Sequence, residues 1–420
     1  MKNTSKTILP AALLALSLTC GTAATAQNST SSPYSMYGIG VLTPKEDVAV
    51  GGLGHAGIAL APSEWVNISN PAGICNLDSL SFYFNINIKG FYAHEQAYEE
   101  KASIYSANID GISLGFRGRN WLSFAIGYAP FSAVGYKIDE YKKIKGSGEE
   151  YQIQYTGSGG LSQAYFNAAV TLFKHWSLGG NFSVLWGTIE KLEASYFSAA
   201  IGGEDIYNKR KYQANNIYWE VGTQFDFNIG QNNFRFGATY APEVWLHSSY
   251  DQTVYNNVSR QLFTDDSTPE RFRIPRMYGA GFTFQRKKFL GTIEYKVSEW
   301  GAITDVKFKD KAVYRDTYTI AGGIQYSPGQ PSDPFYKRMR YRIGYYYGRD
   351  YIDLQNANLL QSGFSLGLTV PIGNSLNAIS IAYEHQKRGT QNYGLIEEKV
   401  HNIKIGFNIR EIWFLKRKFD

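Results

Sequence analysis

Residues 80–89 alternate without a break. Leu80, Phe82, Phe84, Ile86 and Ile88 are interleaved with Ser81, Tyr83, Asn85, Asn87 and Lys89. A strict period of two describes a strand with one apolar and one polar face. The pattern returns along the rest of the chain, for example at Ile112, Leu114 and Phe116, at Phe234, Phe236 and Ala238, and at Ile403, Ile405 and Phe407. Counting these runs gives 14 strands, joined by seven longer and six shorter connections. Short turns at one end and long loops at the other are the layout of an outer-membrane barrel, with apolar rows facing lipid and polar rows facing the lumen. The polar stretches 132–160, 191–215 and 247–270 read as long loops, the first with room for one more hairpin. A soluble β-sandwich would use shorter strands, of about five or six residues.

The chain starts as exported proteins do. Lys2 and Lys6 precede an apolar run from Ile8 to Cys20, and Ala24-Thr25-Ala26 supplies an A-x-A cleavage site. Residues 1–26 therefore read as a signal peptide; lipidation at Cys20 is the alternative, disfavoured by Leu18-Thr19 before it. Cleavage takes the basic residues from 42 to 40 against 36 acidic ones, so the net charge falls from +6 to +4. That is too slight a surplus to imply nucleic acid. One cysteine, Cys75, remains, which forms no internal disulfide and no metal site by itself. No later stretch is apolar over the roughly 20 residues that a membrane helix needs. The 32 tyrosines and 42 glycines suit a barrel with interfacial aromatic girdles. These readings place the protein in a Gram-negative outer membrane, in contact with its lipid, and an even strand count predicts N- and C-termini both on the periplasmic side.

Between the polar arm and the first strand lies Gly51 to Cys75, GGLGHAGIALAPSEWVNISNPAGIC. So many small residues, with Pro62 and Pro71 among them, suit neither a strand nor an amphipathic helix. They suit a compact plug packed closely against walls. Asn70-Pro71-Ala72-Gly73, preceded by Gly54-His55-Ala56-Gly57-Ile58-Ala59, resembles the signature of the FadL/TodX-type outer-membrane transporters. Ser32 to Gly40 and Gly394 to Asp420 look like a Bacteroidetes-type branch of such barrels. The resemblance implies an all-β fold: a 14-stranded antiparallel transmembrane outer-membrane β-barrel with a small N-terminal plug, or hatch, inside the lumen. Residues 27–78 would form the arm and plug and 79–420 the transmembrane barrel. It also implies uptake of a hydrophobic small molecule through a hatch-gated lumen. In the hatch, Pro71 would fix the turn, Asn70 would hold it through its amide, and Ala72 and Gly73 would let the wall come close.

No motif makes the chain an enzyme, and none calls for a cofactor or metal. Gly363-Phe364-Ser365-Leu366-Gly367 matches G-x-S-x-G but lies inside an alternating strand, where a nucleophile elbow needs a strand–turn–helix junction. Its serine reads as lumen-facing. The six histidines show no ligand spacing, and His55 reads as a packed plug residue. Trp413-Phe414, followed by Lys416-Arg417-Lys418, reads as an interfacial anchor. A second function stays open. Asn85, Asn87 and Lys89 make the lumen polar for an oily conduit, which suits a non-transporting barrel that partners other outer-membrane proteins in a larger assembly. A continuous apolar pocket would favour transport, and a filled lumen the partner role.

Overall fold

The computed structural model describes residues 30–412 apart from 98–99, 145, 147, 198–201, 259–262, 304–312, 330–332, 355–356 and 374–376. The signal peptide and the Trp413-Phe414 anchor lie outside the described residues.

Eighteen strands form one antiparallel sheet. One of them, Val41–Leu42, is not part of the wall, and three pairs of strands are single staves interrupted by a break, which leaves fourteen staves. In chain order these are β1 (Ser81–Ala97), β2 (Glu100–Arg119), β3 (Leu122–Lys143), β4 (Glu150–Leu172), β5 (Trp176–Tyr196) and β6 (Ile206–Ile229). β7 consists of Asn232–Ala241 and Val244–Asn256, and β8 of Phe263–Ile274 and Met277–Arg286. Then follow β9 (Phe289–Ser298), β10 (Val313–Tyr314 and Thr317–Tyr326), β11 (Arg340–Leu354), β12 (Ala357–Pro371), β13 (Ala378–Gly389) and β14 (Glu397–Ile412). β14 pairs with β1 from Glu397↔Gln96 to Ile412↔Ser81, which closes the ring.

Alternation explains the two faces. Ile88, Phe182, Ile217, Phe236, Ile293 and Ile403 are exposed on the outside, while Asn85, Asn87, Ser113, Asn181, Ser365 and Asn402 are buried on the inside. A wall bathed in lipid needs the first row; a filled lumen accounts for the second.

Three stretches that read as loops are largely strand. β3 to β6 run for 22, 23, 21 and 24 residues, against 10 for β9. Among the described residues of 132–160 there is no extra hairpin; β3 and β4 continue through the stretch, in register to Lys143↔Glu150. Likewise Val244–Asn256 and Phe263–Ile274 pair with each other where a loop was expected. Period two fades there because an outer face that meets water has no need of apolar residues, although the backbone ladder goes on. At about 3.3 Å per residue, 23 residues reach roughly 75 Å, more than twice a bilayer core. One side of the barrel thus rises as a tall blade at the loop end.

The N-terminal segment 32–78 lies within the ring and touches every stave. Lys45 sits over Tyr165 of β4, His55 meets Glu384 of β13, and Tyr83 of β1 donates to the Ser63 carbonyl. It starts at the loop end, where the Tyr34 hydroxyl donates to the Ile396 carbonyl ahead of β14. It finishes at the turn end, where Ser79 bonds Asn120. Ser81 and Ile412 share one end, as an even count requires, and the described part of the segment begins at the other; the two termini themselves lie outside the described residues.

Candidate functional site

The site is the contact between this segment and the inner wall. Asn70 caps a 3-10 turn, Pro71–Ile74, its Oδ1 accepting from the Ala72 N–H at 2.9 Å. Pro71 at the first position has no N–H to leave unsatisfied. The Asn70 amide donates to the Ile58 carbonyl at 2.8 Å, to the Thr223 carbonyl of β6 at 3.2 Å and to the Ala238 carbonyl of β7 at 3.4 Å. One buried side chain thus ties the turn, the rest of the segment and two staves together.

Close approach is provided by the wall. Gly179 of β5 and Gly222 of β6 are direct cross-strand partners. A Cβ on Gly179 would fall on the Pro71 carbonyl, and one on Gly222 on Asn70 Oδ1. The pattern repeats around the ring. Gly237↔Gly281 receives Ile58 and Ala59, and Gly323↔Gly344 receives Leu53 and Gly54. Glycine inside a strand is the residue that lets another backbone come this near. Gly73 has a different neighbourhood from the expected one: its missing side chain faces Asn67 and the Leu60 carbonyl of the segment itself.

Wall side chains then satisfy the segment's backbone, which has no ladder of its own. Glu294 accepts from the N–H groups of Gly57 and Ile58 at 2.8 and 2.9 Å. Gln224 donates to the carbonyls of Ile58 and Leu60 at 2.8 and 3.0 Å. Arg117 donates to the Leu77 carbonyl, and the Gly54 N–H donates to Ser365 Oγ at 3.0 Å. The serine of the G-x-S-x-G match is thus a fully buried docking residue on the lumen face.

An ionic cluster sits on top. His55, held at φ 69°, places Nδ1 2.7 Å from Glu46 and Nε2 3.3 Å from Glu384. Lys404 bridges Glu46 at 3.0 Å and Asp110 at 3.2 Å, and Tyr346 donates to Glu384 at 2.6 Å. Burial alone would push the His55 imidazole down, but the two carboxylates outweigh it and hold the pKa up to about 9. Burial likewise opposes ionisation of Glu46, yet His55 and Lys404 hold it down to about 2. His55 is therefore the cation of a buried triad and not the packed residue expected. Its role depends on Glu384 and Lys404, more than 300 positions away, and no local pattern announces it.

Above the cluster remains a cavity of about 380 Å³ lined in part by Lys89, Lys296 and Arg388 and in part by Phe91, Phe131 and Met277. Among the described residues, no group of three or more His, Cys, Asp or Glu side chains is placed to hold a metal.

Solved structures share this architecture at low identity. A FadL homologue from Pseudomonas aeruginosa superposes with a TM-score of 0.63 at 12% identity, covering 89% of this chain and 99% of its own. The toluene transporter TbuX of Ralstonia pickettii gives 0.58 at 13%, covering 88% and 98%. The monoaromatic hydrocarbon channel CymD gives 0.57 at 13%, covering 89% and 98%. At such identity these likenesses establish the fold. A comparison with curated protein sequences finds no match. The BamG family model matches residues 6–420, nearly the whole sequence, and the chain belongs to the BamG family.

Proposed function

We propose that this protein is a sealed outer-membrane barrel that serves as a structural partner in a larger outer-membrane assembly. One observation carries the reading: the lumen is occupied by a segment docked backbone to backbone, and the cavity left above it carries charged side chains among its apolar ones. An apolar solute crossing it would have to pass Glu46, His55, Glu384 and Lys404, each of which loses hydration or its partner when hydrocarbon moves in. The tall blade of β3 to β8 supports the same reading, since lumen traffic does not require staves that stand well clear of the bilayer. The Bacteroidetes-type look of the chain ends belongs with it. In this reading residues 27–78 are a permanent plug, with Asn70, Pro71, Ala72 and Gly73 as its latch.

A second reading, uptake of hydrophobic small molecules, is favoured by the shared fold with the hydrocarbon channel CymD and the toluene transporter TbuX. There the same four residues would form a hatch that releases.

Two measurements decide. Purified barrel in liposomes is assayed for toluene entry and ion conductance, and native outer membranes solubilised in mild detergent are sized on native gels. The partner reading expects a closed barrel in a complex larger than the monomer. A monomer that speeds toluene entry overturns it in favour of uptake.

A further inference from the structure

β2 and β3 pair only from Ile112↔Tyr128 down to Arg119↔Leu122, although both strands continue well above that point. Beyond the ladder, the β3 edge facing β2 is taken first by the N-terminal segment. The Thr43 N–H donates to the Phe131 carbonyl, Val41 pairs with Ala133, and the Ser32 N–H donates to the Gly135 carbonyl at 2.8 Å. The Gly135 N–H points the same way, to Ser35 Oγ at 3.0 Å. Residues 131, 133 and 135 therefore turn their backbone groups to this edge. From Ser132 to Lys143 the β3–β4 register runs without a shift, so Lys137, Asp139, Tyr141 and Lys143 must do the same. Among the described residues no strand pairs with these four.

We propose that the Lys137–Lys143 edge of β3 is the docking site of a partner protein, which adds an extended segment of about seven residues as a further strand. Such strand addition takes its affinity from main-chain bonds and its specificity from alternate side chains. The site continues an interface the chain already builds, since the same edge is occupied by strand-like pairing immediately below. Its side chains state what fits. Lys137 calls for an acidic residue opposite it, whereas Lys143 already lies 3.6 Å from Glu150 and Asp139 accepts from Gln152 and Gln154. Tyr141, 68% exposed, offers a ring for an apolar one. A second antiparallel copy that overlaps all four residues fits poorly, because in that register Lys137 would face Lys143 and like charges directly opposite are destabilising. The inference deepens the partner reading and rests on it.

The test is residue-resolved hydrogen exchange of β3, compared between native outer-membrane vesicles, the purified barrel, and that barrel reconstituted in lipid with lipopolysaccharide. The even-numbered amides from Ile138 to Lys142, bonded to β4, are expected to be slow in all three. The amides of Lys137, Asp139, Tyr141 and Lys143 are expected to be slower in native vesicles by about tenfold or more. Lipid has no row of backbone acceptors, so reconstitution should leave them fast. The double variant Asp139→Pro, Tyr141→Pro removes two edge donors and leaves the β4 ladder intact. Its heat-modifiable gel mobility should stay that of a folded barrel, while the protection at Lys137 and Lys143 disappears. A photo-crosslinker at position 141 should join β3 to an extended stretch of another protein; a crosslink to a second copy of this chain overturns the choice of occupant. Odd amides equally fast in all three preparations, or already slow in the purified barrel, overturn the site. If the barrel still migrates in a larger complex in either case, the partner reading stands without this edge; if it migrates as a monomer, both fall.

Discussion

Substituting one wall glycine should undock the N-terminal segment while leaving the barrel closed. Gly179→Ala places a methyl on the Pro71 carbonyl and the Ala72 N–H, which are backbone atoms with no rotamer to retreat into. Overpacking of this kind costs about 1–3 kcal/mol. Relief requires the turn to lift away, which stretches the Asn70 bonds to Thr223 and Ala238. A buried polar group left unpaired costs about 1–3 kcal/mol more. The docked state should therefore lose about 2–6 kcal/mol, and at about 1.4 kcal/mol per decade the undocked population rises by roughly 30-fold to more than 10,000-fold. Cys75 reports it. With the expected signal peptide removed it is the one thiol of the chain, it is 6% exposed, and burial raises its pKa, which slows its reaction further. Labelling by a water-soluble maleimide should be slow in the parent protein and at least about tenfold faster in the variant, with heat-modifiable mobility unchanged. Gly180→Ala is the control, because a methyl there meets nothing within 4 Å. Equal labelling rates for the two variants, with Cys75 reactive in both once denatured, would refute the reasoning.

Other outcomes follow from the same geometry. Asn70→Ala removes the cap and three donated bonds, and should speed Cys75 labelling while sparing the barrel. His55→Leu leaves Glu46 and Glu384 facing each other without their shared cation. Breaking a buried pair in this way costs about 3–5 kcal/mol, so the thermal transition of the purified barrel should fall and its conductance at neutral pH should rise. The pH profile of conductance should have a floor. The raised His55 pKa gives stability that is complete below its unperturbed 6.5 and is lost as pH rises through about 9. The lowered Glu46 pKa gives stability complete above 4.5 and lost as pH falls through about 2. Conductance should thus be lowest between these limits and climb on both sides; a flat profile would remove the ionic cluster from the account. Finally, proteases added to intact cells should cut near 199–212 and 250–268 and spare Arg286 to Lys288. Cleavage at that short turn would reverse the orientation assigned to the barrel.

The wall was readable wherever lipid imposes its period. Leu80 to Lys89 and Phe234 to Tyr240 alternate because one face meets hydrocarbon and the other a filled lumen. Above the bilayer that pressure lapses, so Tyr136 to Lys143 and His247 to Asn256 read as loops although they pair as strands. The position of the NPAG turn was legible from its small residues and its proline. Its receptor was not. Gly179, Gly222, Gly237 and Gly281 pair with partners 43 or 44 positions apart and touch a segment more than 100 positions earlier. A glycine within an alternating strand was the available sign, and only the fold brings those glycines together. The same holds for Glu384 and Lys404, ordinary lumen-facing residues until His55 and Glu46 arrive between them.

The glycine windows also bear on the order in which the molecule is made. A segment that touches all the staves, and meets six of them at paired glycines with no side chain between the two backbones, leaves little room to be threaded into a finished ring. It precedes every stave in the chain, and so it is delivered first. The staves must then be laid around it, each glycine pair closing on a backbone already in place. The pairing that closes the ring around it joins β14 to β1, from Ile412↔Ser81 to Glu397↔Gln96. In that sense the N-terminal segment is the mandrel on which the barrel is wound, and a chain lacking it would have to find its curvature without a template.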